Sequence, residues 1–189
     1  MERRALIEWM VATGGAAAFN RLSAQNLVAL GHDVHRQAQS ASRAGRALAA
    51  HAAHTVRVAA ERIIPASDTP GATQAGVTPF IDTMLADWYA PADRDLFLVG
   101  LADLDTRSRS RQGRVFVDSA PAAQVAMLEA LDDEVVAIRR TRGAAANEHW
   151  FAMLKYLTVW GYCTSEAGMR ETLHSYPPPM RYDGFAPLR

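Results

Sequence analysis

The sequence predicts an all-α protein: a single-domain helical bundle followed by an extended, proline-rich C-terminal tail. Every strong apolar periodicity is close to 3.6 residues, the repeat of an α-helix, and no long stretch alternates apolar and polar residues as a strand would. The 189 residues suffice for one hydrophobic core, and 49% hydrophobic with 21% charged residues is typical of globular chains. We therefore expect a helical domain at residues 23–175, preceded by residues 1–22 and followed by a docking tail at residues 176–189.

Residues 1–22 are interpreted as a twin-arginine export signal, with an ordinary first helix as the alternative. Arg3 and Arg4 precede a short apolar stretch and the small residues Ala16 to Ala18, which together resemble a signal peptide with a cleavage site. Glu8 departs from the twin-arginine pattern, which has lysine there. Because two arginines at a helix N-terminus oppose the helix dipole, export is favoured. The expected location is the periplasm, and cleavage is left open.

The second element, residues 23–63, is helical and is either one long helix or two helices broken near Gly45. Pro65 and Pro70-Gly71 end it and predict a loop. Pro79 is expected at the first position of the next helix, because proline is favoured there. The apolar face of that helix consists of Val77, Phe80, Ile81, Met84, Leu85 and Trp88.

Two further helices are predicted to begin at Pro91 and Pro121. The polar segment between them, Arg107 to Arg114, is expected to be solvated. The first helix should direct Phe97, Gly100, Leu101 and Leu104 inward. The second should direct Gln124, Leu128, Leu131, Val135 and Ile138 inward.

The segment from Glu148 to Cys163 predicts a last helix that is apolar over a wide arc and therefore buried on more than one side. Tyr176-Pro177-Pro178-Pro179 then favours polyproline geometry, which forms no internal hydrogen bonds. The aromatic helix has two interpretations, a core element or part of a docking surface, while the tail is more easily explained by docking. The predicted docking residues are Trp150, Tyr156, Trp160, Tyr162, Cys163, Tyr176, Pro177, Pro178, Pro179, Arg181 and Tyr182.

Bulk charge and composition exclude several function classes. Lys+Arg 20 against Asp+Glu 20 gives a formal net charge of +0, which argues against nucleic-acid binding. No run approaches the roughly 20 apolar residues of a membrane span. The single cysteine, Cys163, excludes an internal disulfide and a zinc ribbon, and it is expected to be a buried thiol or to pair with another chain.

No local pattern indicates a catalytic or metal site. The pairs His32/His35 and His51/His54 each lie on one helical face, but a metal site needs further ligands, so exposed helix histidines are the preferred interpretation. Asp132 to Glu134 is expected to form a solvated face, and Asp82 and Asp87 are expected to face water. There is no phosphate-binding glycine pattern. The sequence therefore predicts a protein that is not an enzyme and has no cofactor-binding residues of its own.

Several segments resemble, in order, the gluconate 2-dehydrogenase subunit 3 family. They are residues 63–72 (IIPASDTPGA), 75–77 (AGV), 80–82 (FID), 85–89 (LADWY), 157–158 (LT), 161–162 (GY), 164–166 (TSE) and 181–184 (RYDG). The resemblance covers roughly residues 48–185. It implies a small helical gamma subunit of a periplasmic or membrane-associated sugar or polyol dehydrogenase.

The resemblance also implies a division of labour between subunits. The large partner would be similar to glucose-methanol-choline flavoproteins, carry FAD and perform the oxidation. This chain would stabilise that partner and escort it through export as a folded complex, which would give Arg3 and Arg4 their purpose. An electron-transfer subunit is left open, and contact with a membrane is expected to be only indirect. Family members often have tyrosine where this chain has Cys163. The alternatives are a free-standing helical metal-binding protein and a cytoplasmic adaptor.

Overall fold

The computed structural model describes residues 23–39, 45–143, 146 and 149–174, and these form an all-α bundle without strands. The fold class predicted from the periodicities is confirmed. A 3₁₀ turn at Phe116–Asp118 and a π-helical turn at Gly168–Thr172 accompany the helices. The α-helices are α1 (Ala24–Ala38), α2 (Ala50–Ile63), α3 (Val77–Asp87), α4 (Pro91–Gln112), α5 (Pro121–Arg142) and α6 (Trp150–Thr164).

The segment 23–63 forms two helices, α1 and α2. The Ser23 side chain caps α1 by accepting a hydrogen bond from the Asn26 N–H at 3.3 Å. Gly45 has a φ of 72°, a conformation that glycine adopts without steric cost. The backbone N–H groups of residues 46–48 then donate to the carboxylate of Asp82 at 2.7–3.1 Å. A single long helix is excluded because these amides are bound to α3.

Helix α3 begins two residues before Pro79, which is an error in the predicted boundary. Gly76 occupies the left-handed region with a φ of 71° and allows the helix to start at Val77. Pro79 is the third residue of the first turn, where the backbone N–H has no partner within the helix, so proline is tolerated. Trp88 follows the last helical residue and is 43% exposed, so its predicted place on the inward face is wrong.

Helices α4 and α5 begin at Pro91 and Pro121 as predicted, and the residues expected to face inward are buried, with Ile138 partly buried. Helix α4 continues through most of the segment expected to be a solvated connection and ends at Gly113, whose φ is 70°. The arginines of that segment other than Arg107 are exposed, but Ser108 is fully buried. Its Oγ donates to the carbonyl oxygen of Arg114 at 2.8 Å and thereby fixes the following turn.

Helix α6 is the centre of the bundle and packs against each of the other five helices. Of its residues, Lys155 alone is not buried. Two glycines allow the closest approaches: a Cβ at Gly100 of α4 would lie 2.0 Å from Cγ of Trp150, and one at Gly161 would lie 2.7 Å from the Phe80 ring. The wide apolar arc predicted for this segment is thus buried on all sides.

Candidate functional site

The loop at residues 64–76, which we call the proline loop, connects α2 to α3 and is held from within by Glu61. The Glu61 carboxylate accepts hydrogen bonds from the N–H of Ala66 at 3.0 Å and of Thr73 at 2.9 Å. Partial burial raises the pKa of Glu61, but the hydrogen bonds from Thr73 and Ala66 and the charge of Arg62 outweigh it, so its pKa lies below the ordinary value. A charged carboxylate at the end of α2 thus organises the loop.

Close backbone packing further restricts the proline loop. A Cβ at Gly71 would lie 2.3 Å from Oε1 of Glu61 and 2.6 Å from the backbone nitrogen of Ala66, so glycine is required there. The N–H of Ala72 donates to the carbonyl oxygen of Ile64 at 2.9 Å, closing the loop at its base. Residues 65–68 nevertheless face solvent. The loop therefore presents a fixed, exposed edge.

Tyr162 of α6 connects the proline loop to the π-helical turn. Its hydroxyl lies 2.8 Å from the carbonyl oxygen of Pro70 and 2.7 Å from Oγ1 of Thr172. The aromatic ring is buried with only 2% of the residue exposed. One phenol thus ties together the loop, the central helix and the last turn before residue 175.

An open groove of about 1060 Å³ adjoins the proline loop. Its walls are α1, the end of the loop at residues 74–76, and residues 164–171 after α6. The charged side chains along it are largely matched within the protein: Asp33 pairs with Arg36 at 2.6 Å, and Glu166 pairs with Arg170 at 2.8 Å. The groove and the exposed edge of the loop therefore lie side by side on one surface of the bundle.

His35 lines this groove and caps the end of α6. Its Nε2 donates to the carbonyl oxygen of Gly161 at 2.7 Å, a group with no partner in the last helical turn. Burial lowers the pKa of His35, the bond to Gly161 raises it by less, and the nearby His32 lowers it further. Burial and then the charge of Arg36 likewise lower the pKa of His32. Both imidazoles are therefore neutral at pH 7.

The five α6 residues predicted to contact a partner are instead inside the bundle. Their exposed fractions are 0% for Trp160, 2% for Tyr162 and 3% for Tyr156, and 6% for Trp150 and 7% for Cys163. The expectation that these side chains form the contact surface is wrong, and the alternative of an aromatic core helix is correct. The physical reason is that α6 is surrounded by helices, so almost none of its surface remains for another molecule.

The polar atoms of this aromatic set confirm a structural role. The Trp160 Nε1–H donates to the carbonyl oxygen of Leu27 in α1 at 3.1 Å, and its ring packs edge-on against Phe80. Burial raises the pKa of the Cys163 thiol to about 12, so the thiol is protonated at neutral pH. Cys163 is a free, buried cysteine, which agrees with the buried-thiol interpretation.

The remaining predicted site residues lie outside the described residues. These are Arg3, Arg4, Tyr176, Pro177, Pro178, Pro179, Arg181 and Tyr182.

Several of the histidines and carboxylates that were expected to face water instead form contacts between segments of the bundle. His51 Nε2 of α2 lies 2.5 Å from Oδ2 of Asp105 in α4, and both His51 and His54 are exposed, as expected. Asp82, expected to face water, is only 4% exposed because it binds three backbone amides; Asp87 remains at the surface and pairs with Arg46 at 2.6 Å.

Two carboxylates of the acidic run at residues 132–134 in α5 likewise form ion pairs with neighbouring helices. Asp132 pairs with Lys155 of α6 at 2.6 Å, and Glu134 pairs with Arg107 of α4 at 2.5 Å. Asp133 is exposed. Among residues for which side chains are described, no group of three or more His, Cys, Asp or Glu is arranged to hold a metal ion. In the same part of the chain, each helix is too short or too polar to span a membrane.

Sequence reasoning missed the side chains that bind backbone groups of distant segments. Asp82 follows the apolar pair Phe80-Ile81, and its binding to residues 46–48 spans more than 30 positions, so no local pattern indicates it. Glu61 lies two residues before a segment that carried the family resemblance, and Tyr162 lies within one, which was an indirect signal for them.

Comparison with known proteins identifies a family. The family model for gluconate 2-dehydrogenase subunit 3 matches residues 50–180, a range that includes the proline loop, the central helix and the π-helical turn. No curated protein and no solved structure matches the chain.

Proposed function

The chain belongs to the gluconate 2-dehydrogenase subunit 3 family, and from that premise we propose that it is the non-catalytic small subunit of an FAD-dependent sugar or polyol dehydrogenase. The large subunit, of the glucose-methanol-choline type, would carry the FAD and perform the oxidation. This chain would stabilise that subunit and accompany it through export. The family match over residues 50–180 is the observation that carries the proposal.

The use of ionisable side chains supports a structural role. His35 caps α6, His51 binds the buried Asp105, and Asp82 anchors residues 46–48. Groups of this kind serve acid–base chemistry in many enzymes when they face a substrate cleft. In this chain the two histidines join one helix to another and Asp82 joins α3 to the segment before α2, which is the use expected of a rigid scaffold.

The proline loop and the adjacent tail are the proposed contact surface. Residues 65–68 are exposed, while Glu61 and Tyr162 hold the backbone beneath them, so binding would require little ordering of the loop. The same Tyr162 hydroxyl reaches Thr172, close to the point where the tail begins. The proposed tail contacts are Tyr176, Pro177, Pro178, Pro179, Arg181 and Tyr182.

Co-expression with the flavoprotein dehydrogenase encoded beside this chain tests the proposal. We expect the two chains to co-purify, and we expect the flavoprotein yield and its FAD absorbance to fall sharply when this chain is omitted. An unchanged yield of FAD-loaded flavoprotein without this chain would contradict a stabilising role. Stoichiometric zinc or iron in the purified chain would favour the metal-protein alternative.

Two variants test the contact surface within the same experiment. Replacing Ser67 and Asp68 by arginine places two bulky cations on the exposed loop edge, and we expect co-purification to be lost. Glu129→Arg, on the exposed face of α5, is the matched control and should retain the complex. A chain ending at His174 examines the tail separately, and full co-purification of that chain would remove the tail from the interface.

Export is tested by cell fractionation. The double variant Arg3→Lys, Arg4→Lys should move the complex from the periplasm to the cytoplasm, because twin-arginine recognition requires the arginine pair. An unchanged distribution would favour the cytoplasmic adaptor, whatever the outcome of co-purification.

A further inference from the structure

The end of α4 and the turn after it carry three exposed arginines without acidic partners. No ion pair joins Arg109, Arg111 or Arg114 to any residue for which side chains are described. By contrast, a carboxylate lies 2.5–2.6 Å from each of Arg36, Arg46 and Arg107. Asp118 is the one carboxylate in the sequence between residues 106 and 119. This end of the bundle is therefore locally positive although the chain has a formal net charge of +0.

Interaction with the helix dipole explains only part of this arrangement. Cations in the last turn of a helix are favourable, and Arg109 and Arg111 occupy that turn. Arg114 lies beyond Gly113, where the helix has ended, so the dipole gives no reason for a cation there. A third unpaired arginine in the turn extends the positive surface past the helix.

The turn that carries Arg114 is held firmly from the inside. The buried Ser108 donates to the Arg114 carbonyl oxygen at 2.8 Å, and Oδ1 of the buried Asp105 accepts from the Phe116 N–H at 2.9 Å. The Gln124 side-chain amide donates to the Phe116 carbonyl oxygen at 3.0 Å. The backbone positions of the cations are thus fixed before any ligand binds.

The placement of the arginines suits an extended anionic surface better than a single anion. Residues two apart on an α-helix are separated by about 200° around its axis, so Arg109 and Arg111 project from opposite flanks of α4. Side chains that diverge in this way do not converge on one phosphate ion. Guanidinium groups bind phosphate in a bidentate manner, and a layer of lipid headgroups that faces the end of α4 offers a phosphate to each of them.

We propose that Arg109, Arg111 and Arg114 form a peripheral binding site for anionic phospholipid headgroups at a bilayer surface. The site goes beyond the proposed role as a dehydrogenase subunit and does not depend on it. Each arginine near such a surface strengthens binding about fivefold, so the three together contribute about 100-fold. Binding weakens as salt concentration rises, because the interaction is electrostatic.

Vesicle co-sedimentation of the full chain tests this site. We expect the chain to bind phosphatidylcholine vesicles that contain phosphatidylglycerol and not to bind pure phosphatidylcholine. The triple variant R109Q/R111Q/R114Q should lower the partition coefficient about 100-fold. The control triple R57Q/R140Q/R142Q removes the same charge at other exposed positions and should change it by less than about twofold.

Three outcomes would overturn the proposal. They are no binding to the anionic vesicles, equal loss of binding in both triple variants, and complete competition by millimolar inorganic phosphate at constant ionic strength. The first excludes the lipid, the second indicates a general charge effect, and the third identifies a soluble anion as the ligand. Thermal unfolding should change little and by the same amount in both triples, since none of the six side chains forms an ion pair within the described structure and each triple removes two cations from the last turn of a helix.

Discussion

The hydroxyl of Tyr162 lies 2.8 Å from the carbonyl oxygen of Pro70, 92 positions earlier in the chain. This contact joins the central helix to the exposed proline loop, and the same hydroxyl reaches Oγ1 of Thr172 at 2.7 Å. The surface proposed to bind the flavoprotein therefore depends on a buried phenol for its shape.

Tyr162→Phe should loosen the proline loop without disturbing the bundle. The ring remains in place, but the Pro70 carbonyl loses its donor, so we expect a loss of about 1–2 kcal/mol in the free energy of unfolding. Hydrogen exchange should accelerate at residues 65–74 and 168–174. Tyr156→Phe is the control, since no hydrogen bond of the Tyr156 hydroxyl is found in the described structure. If hydrogen exchange is unchanged at both segments in Tyr162→Phe, the Tyr162 hydroxyl does not stabilise the proline loop and the π-helical turn.

Asp82→Asn should be strongly destabilising although the change is small. The carboxylate accepts three backbone N–H groups, and the amide replaces one acceptor oxygen by a donor that faces them. We expect a loss of about 1–3 kcal/mol in chemical denaturation. Asp87→Asn breaks an exposed pair with Arg46 and should cost less than about 1 kcal/mol. Similar costs for the two variants would show that Asp82 is not the anchor.

Gly100→Ala should destabilise the protein even though alanine favours helices. The added Cβ would lie 2.0 Å from Cγ of Trp150, and we expect a loss of about 1–3 kcal/mol in thermal or urea unfolding. A double-mutant cycle with Trp150→Phe identifies the cause, since a smaller ring should recover part of the loss. If the losses in unfolding free energy of the two variants are strictly additive, the strain does not arise from the contact between residue 100 and Trp150.

Stability should fall as the pH is lowered through the range in which free histidine titrates. Burial, opposed in part by the Gly161 bond, keeps the pKa of His35 below the unfolded value of about 6.5. Below that pH the unfolded chain binds more protons than the folded chain, so the free energy of unfolding decreases with decreasing pH. His32 and His149, whose pKa values burial also lowers, act in the same direction.

The variant His35→Gln isolates the contribution of His35 to the pH dependence of the free energy of unfolding. Glutamine retains an N–H donor for the Gly161 carbonyl but does not titrate, so urea unfolding between about pH 7.5 and 5.5 should show a smaller decrease in stability. His54→Gln, the same substitution at an exposed position of α2, is the matched control. Parallel curves for His35→Gln and the unaltered chain would contradict the assignment.

Cys163 should be unreactive in the native protein. Its pKa of about 12 leaves almost no thiolate at neutral pH, and only 7% of the residue is exposed. Ellman's reagent should detect no thiol under native conditions and one thiol per chain in denaturant. Rapid native labelling, or a disulfide to the co-purified flavoprotein, would show that Cys163 is accessible in the assembly.

Local features of the sequence determined where most helices begin and end and which of their faces point inward. Proline at the first position started α4 and α5, glycines ended helices or broke them, and the 3.6-residue repeat identified the inward faces. The boundary of α3 was wrong by two residues because Gly76 accepted a left-handed conformation that the sequence pattern did not indicate. These are effects between neighbours in the chain, so a sequence displays them directly.

Only the tertiary structure decided which faces were covered and which polar groups met. The aromatic residues of α6 match a core helix and a docking surface equally well, and the five surrounding helices made them core. Likewise, Asp82 became an anchor rather than a solvated acid because residues 46–48 folded against it. Burial and long-range hydrogen bonds depend on residues far apart in the sequence, so the fixed and exposed proline loop emerged only when the helices were assembled.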